Sequence, residues 1–300
     1  MLTMCGGIHI PVLLGEVLEG LSPQRGSRIL DCTVGGGGHA RGLLERAVPG
    51  GVLIGIDYDA RALELADAAL RGVEGARYHL FQGPFSRMKD FLLYAGVSEV
   101  DIVFFDLGVS SIQLDDPARG FSFRYDSFLD MRMDQSRGIT AEELVNSLSE
   151  EELAWIFYRY GEERFARRIA REIVRQRGIK PIETTGDLVK IVESVVGRRR
   201  GRIHPATRIF QALRIVVNDE LQELEKGLQC AKQILAPGGR IGVISFHSLE
   251  DRIVKHTFRR WEGEGTFELL MKKPIGPTPE EVSANPRSRS AKLRIARKRG

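Results

Sequence analysis

Cysteine is scarce and scattered in this chain: Cys5, Cys32 and Cys230 are the three among 300 residues. None belongs to a Cys-x-x-Cys pair or to a Cys/His cluster with metal-ligand spacing, so the sequence offers neither a disulfide framework nor a structural metal site. Long apolar runs are also missing, and none approaches the roughly 20 residues that a membrane-spanning helix requires. The N-terminal stretch has no basic segment and is interrupted by Glu16, so it reads poorly as a signal peptide. No large charge of one sign is present. Forty-four Lys and Arg stand against 40 Asp and Glu, a net charge of +4. The isoelectric point of about 9.0 admits a polyanionic partner and says little about fold. There is no internal repeat, low-complexity tract or coiled coil. These absences describe a reduced, cytoplasmic protein without membrane partner or metal.

A hydrophobic content of 42% and a charged content of 28% are those of a globular protein with chain enough for a core. Short apolar runs alternate with helical patterns in the first third. Arg28-Ile29-Leu30-Asp31, Val52-Leu53-Ile54-Gly55-Ile56-Asp57, Arg77-Tyr78-His79-Leu80-Phe81 and Asp101-Ile102-Val103-Phe104-Phe105-Asp106 read as buried parallel strands, with Ala60–Leu70 among the intervening helices. Residues 240–246 form a fifth candidate strand, and 267–271 and 293–297 two more. The fold expected is α/β, a Rossmann-like, mostly parallel seven-stranded sheet.

The gap after the fourth strand is too long for one crossover. Thr140-x-x-Glu143 and Ser149-x-x-Glu152 are capping boxes, and 162–177 and 187–196 carry helical patterns. An all-helical insert over 114–204 follows, leaving 1–113 and 205–300 as one discontinuous domain. Phe210, Leu213, Val217, Leu221, Leu224, Leu228, Ala231 and Leu235 then predict one long amphipathic helix, packed on the sheet and ended by Pro237-Gly238-Gly239.

The first strand runs into Asp31-Cys32-Thr33-Val34-Gly35-Gly36-Gly37-Gly38-His39. Glycines permit positive φ and close approach of a ligand, and the following helix presents free N–H groups. Alone, such a loop also suits a dinucleotide or a plain tight turn. The acids narrow the choice. Asp57 ends the second strand 22 positions after Gly35, where a carboxylate accepts both ribose hydroxyls of an adenosine. Asp31 would repel a pyrophosphate and suits the cationic end of a methionine tail. Asp106 ends the fourth strand, beside the switch-point crevice, and Phe85 follows the third strand as a wall for a base.

Longer motifs add to this. They are His9-Ile10-Pro11-Val12-Leu13-Leu14, Gly37-Gly38-His39, Asp106-Leu107-Gly108-Val109-Ser110-Ser111 with Gln113-Leu114-Asp115, Arg119-Gly120-Phe121-Ser122-Phe123 and Asp130-Met131-Arg132-Met133-Asp134. Gly161-Glu162-Glu163-Arg164, His204-Pro205-Ala206-Thr207-Arg208, Ser245-Phe246-His247-Ser248-Leu249-Glu250-Asp251-Arg252 and Asn285-Pro286-Arg287-Ser288-Arg289-Ser290 continue in order to the C-terminal tail. Together they resemble the MraW/RsmH family of bacterial 16S rRNA cytosine-N4 methyltransferases. Phe128 stands where that family usually has proline, and Ile209 where threonine is common; neither touches the cofactor motifs. The resemblance implies a class I methyltransferase domain with a helical insert for substrate RNA. It also implies S-adenosylmethionine as cofactor, and as target a cytosine in the decoding region of 16S rRNA within the small ribosomal subunit. By position, Gly37, Gly38, His39, Asp57, Phe85, Asp106 and Gln113 match the family's cofactor-contacting motifs.

Cytosine N4 is a poor nucleophile because its lone pair is delocalised into the ring, so acceptors for its N–H protons and good positioning are needed. Many amino-methyltransferases place Asp/Asn-Pro-Pro-aromatic at the fourth strand's end. Here Asp106-Leu107-Gly108-Val109 keeps only the acid. Asp106 therefore stands to bind cofactor, to bond the amine, or both, and His247 is a second catalytic candidate. Phe121, Phe123 and Tyr125 are the nearest aromatics for stacking an extruded base. Arg164, Arg168, Arg171 and Arg175 form a stripe along one helix that, with 198–202 and the 287–299 tail, is expected to meet RNA phosphates. A nicotinamide oxidoreductase, disfavoured by Asp31, and a non-catalytic RNA-binding assembly factor are the rival readings.

Overall fold

A computed structural model describes residues 11–197 and 204–300. Cys5, the His9-Ile10 start of the first motif and the basic segment 198–202 lie outside the described residues. The chain divides into two compact units, Met1–Gly108 with Leu221–Gly300, and Val109–Glu220.

The first unit is built on seven strands: β1 (Arg28–Asp31), β2 (Val52–Asp57), β3 (Tyr78–Gln82), β4 (Val100–Asp106), β5 (Leu235–Ser245), β6 (Phe267–Leu269) and β7 (Lys292–Lys298). Their order is β3-β2-β1-β4-β5-β7-β6. The first five run parallel, while β7 pairs antiparallel with both β5 and β6. This is the class I methyltransferase arrangement expected. Chain order reverses between β1 and β4, and that reversal opens a crevice at the carboxyl ends of the strands.

Strand periodicity explains why both faces are apolar. Leu30, Ile54, Val103, Phe105 and Val243 point to one face, under Leu224, Leu228, Phe258 and Trp261. Their neighbours Ile29, Leu53, Ile102, Phe104 and Ile244 point to the other, under Val17, Leu21, Leu43, Leu44 and Leu70. Side chains alternate across a strand, so continuous apolar runs are what a sheet covered on both faces demands.

The second unit is helical. Both capping boxes form: Thr140 Oγ1 accepts from the Glu143 N–H at 3.0 Å, and Ser149 Oγ from that of Glu152 at 3.2 Å. Leu144, Leu153, Phe157, Ile169, Ile173, Leu188, Val192, Ile209 and Leu213 fill its core. The expected insert, 114–204, lies inside this unit, which begins at Val109 and ends at Glu220.

Two expectations are corrected. The long helix is two, Ala206–Val217 and Glu220–Ile234, broken at Asn218 and at Asp219, whose φ is +51°. The apolar pattern runs through the break because each half faces a different core: Phe210 and Leu213 lie in the helical unit, Leu224 and Leu228 under the sheet. The pattern at 162–177 becomes a helix only at Ala166, because Glu162 takes a left-handed φ of +47°.

Asn218 makes the break specific. Its amide donates to the Met131 carbonyl at 2.8 Å and the Arg214 carbonyl at 2.9 Å, and accepts from the Met133 N–H at 2.7 Å. Asn218→Ala forfeits three bonds and is expected to cost about 2–3 kcal/mol, at about 1 kcal/mol each. The check is urea denaturation, where the variant's midpoint should fall without a change in slope.

Candidate active site

The glycine loop is fastened to both neighbours of β1. The Cys32 N–H donates to Phe104 of β4 and the Val34 N–H to Ile56 of β2, both at 2.9 Å. Gly37 caps the helix Gly38–Ala47 with φ +83°, and a Cβ there would lie 2.9 Å from Ala66 Cα. Gly35 differs. Its φ is +51°, but a Cβ on it would meet nothing nearer than 3.9 Å, so open space lies in front of it.

Three carboxylates end adjacent strands, and each is held differently. Asp57, at the end of β2, accepts from the Gly35 N–H through Oδ2 and from the Asp59 N–H through Oδ1, both at 2.9 Å. It clamps the glycine loop to β2. Burial pushes its pKa up to about 6 against the pull of these N–H groups. Asp31, at the end of β1, is 1% exposed. Its Oδ1 accepts from the Thr33 N–H at 3.1 Å, whereas Oδ2 is buried with no partner among the described residues. Burial, aided by the charge of Asp57, raises it to about 7. Asp106, at the end of β4, has a buried Oδ1 likewise without a partner among the described residues, and its Oδ2 lies 3.5 Å from His39 Nδ1. Burial, then the charges of Asp31 and Glu250, push Asp106 up to about 8.

The other expected site residues are placed as follows. Gly38 packs against Pro11, whose Cγ would lie 2.5 Å from an added Cβ. His39 is buried, with Nε2 2.8 Å from the Val12 carbonyl oxygen. Phe85 is in the core, edge-on to Phe105 at 5.2 Å and against Gly227, so its ring is largely spent on packing. Gln113 belongs to the second unit, where it forms a capping box with Ser110. His247 caps the helix Ser248–Gly263 through Nδ1, which accepts from the Glu250 N–H at 3.3 Å. The Glu250 carboxylate reaches back to the N–H groups of Phe246 and His247. Nδ1 of His247 is thus taken up by the cap, while its Nε2 lies 3.2 Å from Glu250 Oε1.

Two residues of this unit were not anticipated. Thr33 joins two of the acids, since its N–H bonds Asp31 and its Oγ1 accepts the Asp106 N–H at 2.6 Å. Glu250 is buried and adds its charge to the field at Asp106. Its sequence signal was the acid three residues after a helix-starting His.

A loop with open space at Gly35, flanked by Asp31 and Asp106, which each keep a buried oxygen unpartnered among the described residues, suits a cationic ligand and repels a pyrophosphate. The donor set therefore fits a sulfonium carrying an ammonium tail. Comparison with known proteins decides the matter: the model of the MraW methylase family matches residues 7–299. The chain belongs to the MraW methylase family. It is 52% identical to ribosomal RNA small subunit methyltransferase H of Cyanothece sp., over 97% of this chain and 95% of that protein. It is 49% identical to the same-named protein of Symbiobacterium thermophilum (95% of each chain) and 53% identical to that of Acaryochloris marina (96% and 93%). The methyl donor of this methylase is S-adenosylmethionine.

In the methylase's helical unit the arginine stripe is less uniform than expected. Arg164 precedes the helix, Arg171 lies 3.3 Å from Glu150, and Arg175 pairs with Glu172 at 2.6 Å. Arg164 and Arg168 both stand over the Phe165 ring, at 4.7 and 5.4 Å, with no carboxylate partner among the described residues. Of the three stacking candidates, Phe121 is buried in this unit's core and Phe123 packs on His204 and Phe210, while Tyr125 is exposed.

The raised acids set a pH dependence for the cofactor-free protein. Their folded pKa values, about 7, 6 and 8, exceed the ordinary value of 3.8, so the folded state holds more protons than the unfolded state between pH 4 and 8. Their contribution is complete below pH 4 and is lost as pH rises through 6–8, on the order of a few kcal/mol. Thermal unfolding from pH 5 to 9 should show a falling melting temperature, with a shallower fall in Asp31→Asn. Equal slopes for the two proteins would remove Asp31 from this account.

Proposed function

We propose that this methylase transfers the methyl group of S-adenosylmethionine to the N4 amine of a cytosine in the decoding region of 16S rRNA, within the small ribosomal subunit and in the cytoplasm. The observation that carries the reading is the buried, unpartnered Oδ1 of Asp106 at the end of β4. An acceptor there bonds an N4–H and draws the amine toward a tetrahedral, nucleophilic geometry. In the reaction the methyl–sulfur bond breaks as the methyl–N4 bond forms. Sulfur keeps the bonding pair, and N4 gives up one proton to water. A non-catalytic assembly factor has no use for such an oxygen.

On this reading Asp31 receives the ammonium of the methionine tail, and Asp57 accepts the ribose hydroxyls with the lone pairs its backbone bonds leave over. Gly37, Gly38 and the His39 backbone line the same loop. Phe85 and Gln113 carry over from the family motif, the first through the edge its packing leaves and the second from its helix cap. The helical unit would recognise the RNA. Its exposed Tyr125, Trp155 and Tyr158 suit stacking of single-stranded bases. Arg168 and Arg171 line a cavity of about 410 Å³ together with Glu172, Ser194 and Val195.

Tritiated methyl transfer to small subunits lacking the modification, followed by mass mapping of the nucleotide, tests the target; a label on a ring carbon or a ribose refutes it. Asp57→Ala should weaken cofactor binding by several kcal/mol, since each unpaired hydroxyl costs about 1–3 kcal/mol, and unchanged affinity in titration calorimetry would remove Asp57 from the site.

Arg164→Glu with Arg168→Glu should weaken subunit binding and lower the slope of log K against log salt by about 1.4–1.8, at ~0.7–0.9 per phosphate. Cofactor affinity should hold. An unchanged salt slope would make these cations a solvated face.

A further inference from the structure

The His39 side chain has no part in the proposed reaction, yet it is 7% exposed and its ring lies against Phe104 at a centroid distance of 4.8 Å. Its Nε2 lies 2.8 Å from the Val12 carbonyl oxygen, which has no proton to give. That nitrogen must therefore carry the hydrogen. In the neutral ring the other nitrogen, Nδ1, then presents a lone pair. It lies 3.5 Å from Asp106 Oδ2, where two lone pairs repel unless a proton stands between them. The spacing is long for a hydrogen bond, as is common for catalytic contacts before substrate arrives.

We propose that His39 is a positioning residue: its Nδ1 accepts the Oδ2–H of a neutral Asp106 carboxyl and thereby leaves Oδ1 as the oxygen available to the target amine. The inference rests on the reading of Asp106 as the amine's acceptor. Its chemical logic lies in which hydrogen a neutral carboxyl would otherwise offer. A free Asp106 hydroxyl could turn toward N4 and donate to the lone pair that must attack the methyl group. Engaged by His39, the hydroxyl cannot turn, and Asp106 faces the amine as an acceptor only. Burial and the charges of Asp31 and Glu250, which hold Asp106 near 8, favour the same protonation. Thr33 fixes the backbone of Asp106 from the other side.

Two measurements test this. Nitrogen-15 NMR of the His39 ring in the cofactor-free protein between pH 6 and 7 should show the neutral tautomer protonated at Nε2. An imidazolium would overturn the proposal in favour of an ion pair. The second measurement uses two variants that each keep one half of the ring's bonding. His39→Asn places an amide oxygen where Nδ1 stands, and His39→Gln places an amide nitrogen where Nε2 stands. His39→Asn should keep kcat within about fivefold, while His39→Gln should lose about 100-fold in kcat with little change in cofactor Kd, in the range of a lost proton-handling contact. The reverse order, Gln active and Asn inactive, would show that His39 only ties down the Val12 segment. A loss confined to cofactor Kd would make it a binding residue alone, and either result overturns the proposal. If wild-type protein modifies no small-subunit rRNA, the proposed substrate falls, while the ring tautomer still decides the His39–Asp106 bond.

Discussion

Three carboxylates at the ends of neighbouring strands, Asp31 buried and Asp57 and Asp106 half-buried, are the constraint around which the first unit is organised. Removing a charged carboxylate from water is expensive unless it is paired or neutralised, and the described residues place no cation beside Asp31 or Asp106. The protein meets the cost in three ways. Backbone N–H groups are aimed at Asp57, the threonine N–H at Asp31, and a histidine lone pair at Asp106. What remains uncompensated is one oxygen on each of Asp31 and Asp106. A cationic ligand is the natural complement, so the same burial that weakens the empty protein as pH rises strengthens its hold on a sulfonium cofactor.

The sheet supplies the precision. Parallel strands β2, β1 and β4 are neighbours, so residues far apart in sequence come to one edge, and the loop after β1 is bonded to strands on both sides. In the middle of β2, β1 and β4 the two-residue period puts apolar side chains on both faces. At the carboxyl ends of these three strands the alternation gives way to Asp57, Asp31 and Asp106. The site is therefore located by topology, and glycines at 35 and 37 let the backbone turn there without filling the space in front.

Much of this was legible in the sequence because it depends on local periodicity and on strand-end residue types. The apolar runs marked the strands, the hydroxyl–acid spacing marked two helix starts, and Asp31, Asp57 and Asp106 were apparent as acids closing buried strands. What was not legible depends on which core a residue faces. The run from Phe210 to Leu235 has one unbroken helical period, yet Asn218 and Asp219 divide it between two cores, and hydrophobic spacing carries no label for its destination. Phe85 follows a strand as a ligand wall would, but Gly227 on a distant helix opens a slot that takes its ring. Non-local packing decided each of these cases.

The acid cluster also bears on how one protein can serve a cationic cofactor and a polyanionic substrate. Three ionised carboxylates beside a phosphate backbone would repel it, and the modest net charge of +4 offers little long-range compensation. Proton affinities near neutrality reduce that conflict, because the empty site carries only part of its formal negative charge. Once the cofactor's positive charge is present, Asp31 can ionise against it with little net field outside. On the proposed reaction the cofactor thus prepares the site electrostatically for RNA, and methyl transfer removes the sulfonium charge while the ammonium facing Asp31 stays. The product state holds one positive charge fewer beside the acids, which favours release of the modified RNA over rebinding.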